Sequence, residues 1–262
     1  MSGGAEAPAI TPAGAFGPLT QPVEQALSVV PTDVSGVVST LQAIVTVLPP
    51  TDGVAAFTSL YLAVTEAVGA SASALVFEDE SFTRALDVTF ANLYFDALRD
   101  FIAGDRSIPA AWAPLVEART RTGVFPLQFA LAGMNAHINR DLPVALVETC
   151  TALGVDLSES STQHRDFQRI DGVLAQTEAL VKGRFITGDL VAVDGALGHL
   201  DDCVAMWNVE RAREAAWTSA ETLWALRGVP LLKAKFLLTL DRMVGFAGRG
   251  LLCPLAPVTP IA

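Results

Sequence analysis

The residues best placed to do chemistry lie in one segment, GMNAHINRDLP (Gly133–Pro143). His137 and Asp141 stand four apart, so a helix puts them on one face, one turn from each other. An imidazole nitrogen and a carboxylate oxygen in that register can converge on a divalent ion or exchange a proton with a bound molecule. Inward carboxylates from other helices would complete a metal shell. The same pair also has a purely structural use: Pro143 ends or kinks the helix, Asp141 caps the next one, and His137 meets orphan carbonyls or Asn139.

A helical wheel shows which other charges fall inside apolar arcs, where an ion costs several kcal/mol unless it is paired. Over 81–103 the arc of Phe82, Leu86, Phe90, Tyr94 and Phe101 includes Asp87. Over 160–182 Asp166 lies within the arc of Phe167, Ile170, Val173 and Leu174, and Asp171 about a quarter-turn from its centre. Over 208–227 Arg213 projects from the side that carries Val209, Trp217, Leu223 and Trp224. Three readings stay open: an ion-pair network that fixes helix register, a metal centre, or a metal-free acid/base site. In the second and third, His137, Asp141 and Asp166 act as ligands or acid/base groups, with Asp87 and Asp171 behind them. Arg213 would hold an anionic group such as a phosphate or diphosphate. Asn135, Asn139, Tyr94, Trp217 and Trp224 would contact the substrate, the two tryptophans as walls of an apolar pocket. A metal would be one divalent ion (Mg, Mn, Fe or Zn); with three histidines in the chain, oxygen-rich coordination of Mg, Mn or Fe suits the residues best. His164 and His199 read as surface residues, and His199 with Asp201 and Asp202 as a weaker ligand cluster.

These side chains need helices to position them. Apolar residues recur at three- and four-residue steps over 34–48, 53–69, 81–103, 109–121, 124–141, 143–152, 160–182, 189–207, 208–227 and 230–247. Alternating strand patterns are nearly absent, so the fold expected is an all-α, multi-helix bundle. Asp52 precedes the helix from Gly53, Pro109 and Pro230 fall where a first turn accepts proline, and Gly104, Gly183 and Gly228 follow periodic runs. Proline and glycine concentrate at both ends, predicting an irregular arm over 1–22, a helical domain over 23–250 and an irregular tail over 251–262. Gly53–Phe77 holds one charge, Glu66, yet its periodicity reads as a core helix and not a membrane span.

Hydrophobic residues make up 51% and charged residues 17% of 262, which suits a core-rich globule. The net charge of −11 argues against nucleic acid as a partner. Residues 1–83 hold eight acids and no base, so no basic leader precedes the domain and the expected compartment is the cytoplasm. Cys150, Cys203 and Cys253 are isolated, which suggests free thiols. No GxGxxG, GxxxxGK[ST], HExxH or GxSxG occurs, and no nucleotide cofactor is expected.

Asp52-Gly53-Val54 with Phe57, Leu60-Tyr61 and Val64-Thr65, then LDVTFANLYFDAL (Leu86–Leu98), GMNAHINRDLP, Asp166-Phe167 and Arg213…Trp217…Ala220 resemble, in order, the blocks of the actinobacterial and fungal family named domain of unknown function 5995. The resemblance spans roughly Leu48–Arg227 and implies that Asp87, His137, Asp141, Asp166 and Arg213 belong to one constellation. His137, Asp141 and Pro143 are also similar to the His-x-x-x-Asp helices of all-helical zinc phospholipase C and nuclease-like enzymes. Ala145 and Leu146 stand where those carry a further histidine, so no three-zinc cluster is implied. The expected function is an enzyme, a metal-dependent hydrolase or a lyase of specialised metabolism, acting through a His/Asp metal or acid-base site on a small lipophilic substrate with or without a phosphate or diphosphate group. A terpene-type cyclase and a non-catalytic binder or scaffold are the alternatives.

Overall fold

The computed structural model describes residues 16–72, 77–105, 108–174 and 208–254. Among these the secondary structure is helical and includes no strand: α1 (Thr20–Ala26), α2 (Val34–Val47), α3 (Gly53–Ala72), α4 (Glu80–Ala103), α5 (Ala113–Ala118), α6 (Pro126–Ala136), α7 (Leu142–Leu153), α8 (Thr162–Arg169), α9 (Val209–Ala225) and α10 (Pro230–Leu251). The all-α bundle expected from periodicity is what the chain forms. The helix expected over 189–207, the end of that over 160–182, and His199, Asp201, Asp202 and Cys203 lie outside the described residues.

Three local departures have physical reasons. The arm expected to be irregular through Pro22 is already helical from Thr20, and Phe16 is buried edge-to-face against Phe101 at 5.5 Å. Over 109–121 only Ala113–Ala118 is α-helical. Asp241 of α10 accepts the backbone N–H groups of Ala110 (2.8 Å) and Ala111 (3.0 Å), holding the preceding turn by tertiary contact. Pro143 neither ends nor interrupts the run from Pro126: residues His137–Asp141 form a π-helical turn that joins α6 directly to α7. A proline lacks the N–H that would bond four residues back, and a wider turn absorbs that mismatch.

Two apolar cores share α4. Its C-terminal half, with Tyr94, Phe95 and Leu98, packs with α1, α2, α3 and α5 around Trp112 and Phe57. Its N-terminal half, with Phe82 and Leu86, packs with α7 and α9 around Trp217 and Leu146. In the first core α3 crosses α6 very closely. A Cβ at Gly53 would lie 2.4 Å from the Phe129 ring, and one at Gly133 2.3 Å from the Phe57 ring, so both positions require glycine.

Gly53–Ala70 in α3 is long and apolar enough to cross a membrane by length and composition. In the fold it packs against α2 and α6, and its remaining apolar side faces an internal cavity. On α10 the outward side carries Leu231, Leu238 and Phe246 interleaved with Lys235 and Arg242.

Candidate functional site

A cavity of about 700 Å³ stands between the two cores. Tyr61, Val64 and Val68 of α3 form one wall, Leu86 and Phe90 of α4 another, and Leu131 and Met134 of α6 a third. Ile170, Val209 and Arg213 close the far side. The lining is overwhelmingly apolar. That explains why α3, a long and strongly apolar helix, keeps residues such as Tyr61 and Val64 only partly covered by protein. Its remaining surface faces a space of the size that small-molecule sites occupy.

His137 contributes to this wall from the π turn. Its ring stacks on Phe90 with centroids 3.5 Å apart and meets Tyr61 edge-on at 4.6 Å. Behind it Asp141, wholly excluded from solvent, accepts the Trp112 indole N–H at 2.9 Å and an Arg140 N–H at 2.8 Å. The same carboxylate lies 3.3 Å from His137 Nδ1. An ionised carboxylate only accepts, so Nδ1 carries the ring proton and Nε2 the lone pair. Nε2 has no hydrogen-bond partner. Burial lowers the imidazole pKa, against an opposing pull from Asp141, and keeps the ring neutral near pH 7.

Asp87 faces the cavity two turns into α4. No side chain or backbone group among the described residues hydrogen-bonds to it; burial pushes its carboxyl up to about 6, opposed only by the nearby Arg213 charge. Arg213 itself is engaged. It donates from Nε to Asp171 at 2.5 Å and from Nη2 to the Phe167 carbonyl at 2.7 Å, and its guanidinium lies 3.9 Å from the centre of the Phe167 ring.

The remaining predicted residues serve the framework. Asp166 accepts the backbone N–H groups of Glu78 (2.9 Å) and Asp79 (2.7 Å) and an Arg169 N–H at 2.5 Å. Asp79 in turn caps α4 through Phe82 N–H. Asp166 therefore anchors the start of the helix that carries Asp87, and it does not line the cavity. Asn135 donates to the Val244 carbonyl at 2.9 Å and accepts from Asn139 at 3.1 Å, tying α6 to α10. The Tyr94 hydroxyl pairs with that of Thr58 at 2.6 Å in the first core. Trp217 packs on Phe167 and donates to Glu221, and Trp224 donates to Asp156. Neither tryptophan lines the cavity, and nor do Asn135, Asn139 or Tyr94.

The metal centre expected from His137, Asp141 and Asp166 does not assemble. Asp141 already holds an indole, a guanidinium and an imidazole, Asp166 holds two backbone amides and Arg169, and no group of three or more His, Cys, Asp or Glu among the described residues is placed to bind an ion. Two participants carried no role in the sequence reading: Trp112, which fixes Asp141, and Tyr61, which flanks His137. The period of Phe57, Tyr61 and Val64 was the available signal for the latter; nothing in the sequence pairs Trp112 with Asp141.

The fold and site define an all-α protein with an apolar internal cavity and a histidine–aspartate pair in its wall. The chain matches the model of a family of unknown function, DUF5995, over residues 34–254, and belongs to that family. Comparisons with curated proteins and with solved structures give no match.

Proposed function

We propose that the protein takes up a small lipophilic molecule in this cavity and that His137 exchanges a proton with it. The observation that carries the reading is that His137, which lines an otherwise apolar space, has a buried, lone-pair Nε2 without a hydrogen-bond partner. Asp141 fixes the tautomer and would stabilise the imidazolium formed when Nε2 takes a proton, as an orienting carboxylate does behind a general base. Burial of the neutral ring supports a base at neutral pH. Among the described residues no three His, Cys, Asp or Glu side chains are grouped as a metal-dependent hydrolase or a diphosphate-ionising cyclase would need. A non-catalytic binder shares the cavity and differs only in what Nε2 does.

The test joins binding with protonation state. The neutral, solvatochromic dye Nile red should bind with a blue-shifted emission, and Val64→Trp, which projects an indole from α3 into the cavity, should abolish it. In ¹⁵N NMR the His137 ring should appear as the Nδ1–H tautomer, with the Nε2 resonance moving when a hydroxyl-bearing ligand is added. A dye signal that survives Val64→Trp, or an Nε2–H tautomer, overturns the reading.

A further inference from the structure

The polar groups of the cavity wall are unequal in what they lack. His137 Nε2 is buried without a hydrogen-bond partner, partly exposed Asp87 lines the same cavity with no hydrogen bond from the described residues, and both are acceptors. The Tyr61 hydroxyl beside them can donate or accept. Thr65 and Thr83 direct their hydroxyls at the carbonyls of Tyr61 and Asp79. At the rim Glu80 and Arg84 form an ion pair, and Asp33 accepts from Ser35 and Gly36. The one inner cation, Arg213 among the described residues, is bound by Asp171 and the Phe167 carbonyl.

Charge counting sharpens this. Arg213 cancels Asp171, with which it is in direct contact. Asp87 is left as the inner-wall carboxylate to which no group among the described residues donates, with only the nearby, already engaged Arg213 charge to offset it. A buried ionised group in that state calls for a donor, and a positively charged one restores neutrality. The aromatic faces of Phe90, Tyr61 and Phe77 around the same space attract cations as well.

Resting on the cavity reading above, we infer that the ligand is a lipophilic amine, its ammonium group seated on Asp87 and its apolar body against α3. A phosphate or diphosphate ester is disfavoured. Its charge would meet Asp87, and the guanidinium that would receive it already serves Asp171. Such a ligand also leaves His137 Nε2 free to accept from a second N–H or O–H of the same molecule.

The experiment is displacement of Nile red from the full-length protein by decylamine, decanol and decyl phosphate, each below its aggregation concentration at pH 7.5. Decylamine should displace the dye at roughly tenfold lower concentration than decanol, the advantage of a charge-assisted over a neutral hydrogen bond. Decyl phosphate should be the weakest. Asp87→Asn should still bind Nile red and lose the preference for amine over alcohol. A preference that survives Asp87→Asn reports only the acidic surface and overturns the assignment, as does a decyl phosphate that competes as well as the amine. Wild-type protein that fails to bind Nile red overturns the cavity reading itself, a result distinct from dye binding without amine preference.

Discussion

Two sides of the His137 ring follow opposite rules. Behind it, toward Trp112, the buried acceptors are matched, Asp141 with three donors, the Tyr94 hydroxyl with Thr58, Asp52 with Arg119 and the Val54 amide, while Arg140 Nε is left without a hydrogen bond. In front of it, toward Asp87, an ionisable carboxyl and an imidazole nitrogen face apolar walls without partners. The matched side is the more enclosed, with Asp141 and Tyr94 fully buried and Asp87 partly exposed to the cavity. A matched interior polar group reports on the fold; an unmatched one lowers stability and is retained for something the fold alone does not contain. The comparison separates the framework aspartates Asp52, Asp141 and Asp166, buried and served by donors, from Asp87, which is partly exposed to the cavity and receives no hydrogen bond from the described residues.

The largest effect should come from breaking the matched side. Asp141→Ala orphans the Trp112 indole, leaves the Arg140 guanidinium with only the Asp241 carboxylate at 3.8 Å and releases His137. We expect a loss of about 3–5 kcal/mol in denaturant unfolding, the range for removing one partner of a buried pair. A loss under about 1 kcal/mol would show that the matched side is no better satisfied than the hollow one.

On the hollow side the sign reverses. The folded-state pKa of Asp87, about 6, lies above its ordinary value of 3.8. Between these values the folded protein holds more protons than the unfolded chain. Stability attributable to Asp87 is therefore complete below pH 4, falls as pH rises toward 6, and stays low above it. Asp87→Asn should match the wild type near pH 4 and exceed it by up to about 3 kcal/mol at pH 7–8. Unfolding curves of both proteins across that range check this. A variant less stable at pH 8 would place Asp87 with the framework.

A smaller change should follow at Asp166. Its carboxylate bridges two exposed-side amides and Arg169, so Asp166→Ala should cost about 1–2 kcal/mol, comparable to losing a helix cap. It should leave Nile red affinity within about twofold, since the residue stands outside the wall; a change of about tenfold or more, worth 1.4 kcal/mol, would move Asp166 from the framework into the site.

Much of this was legible in the sequence. The 3.6-residue period is set by each helix's own residues, so the all-α architecture and the inward positions of Asp166 and Arg213, which are 0% and 7% exposed, could be read from wheels. His137 and Asp141 are neighbours because four residues make about one turn, and they do meet. A wheel reports only that a side chain points inward. It is blind to whether the inside is packed or hollow, and to which distant group stands opposite. Asp87 and Asp166 look alike on their wheels; one meets open space and the other the amides of residues 78 and 79. Trp112 lies twenty-nine positions before Asp141, and nothing local links them. The glycine crossing of α3 on α6 and the cavity between two cores arise from contacts between helices remote in the chain. The sequence by itself determined the helices and which residues face inward, because those follow from local periodicity; the tertiary structure alone decided which inward charges are satisfied and which remain available to a ligand.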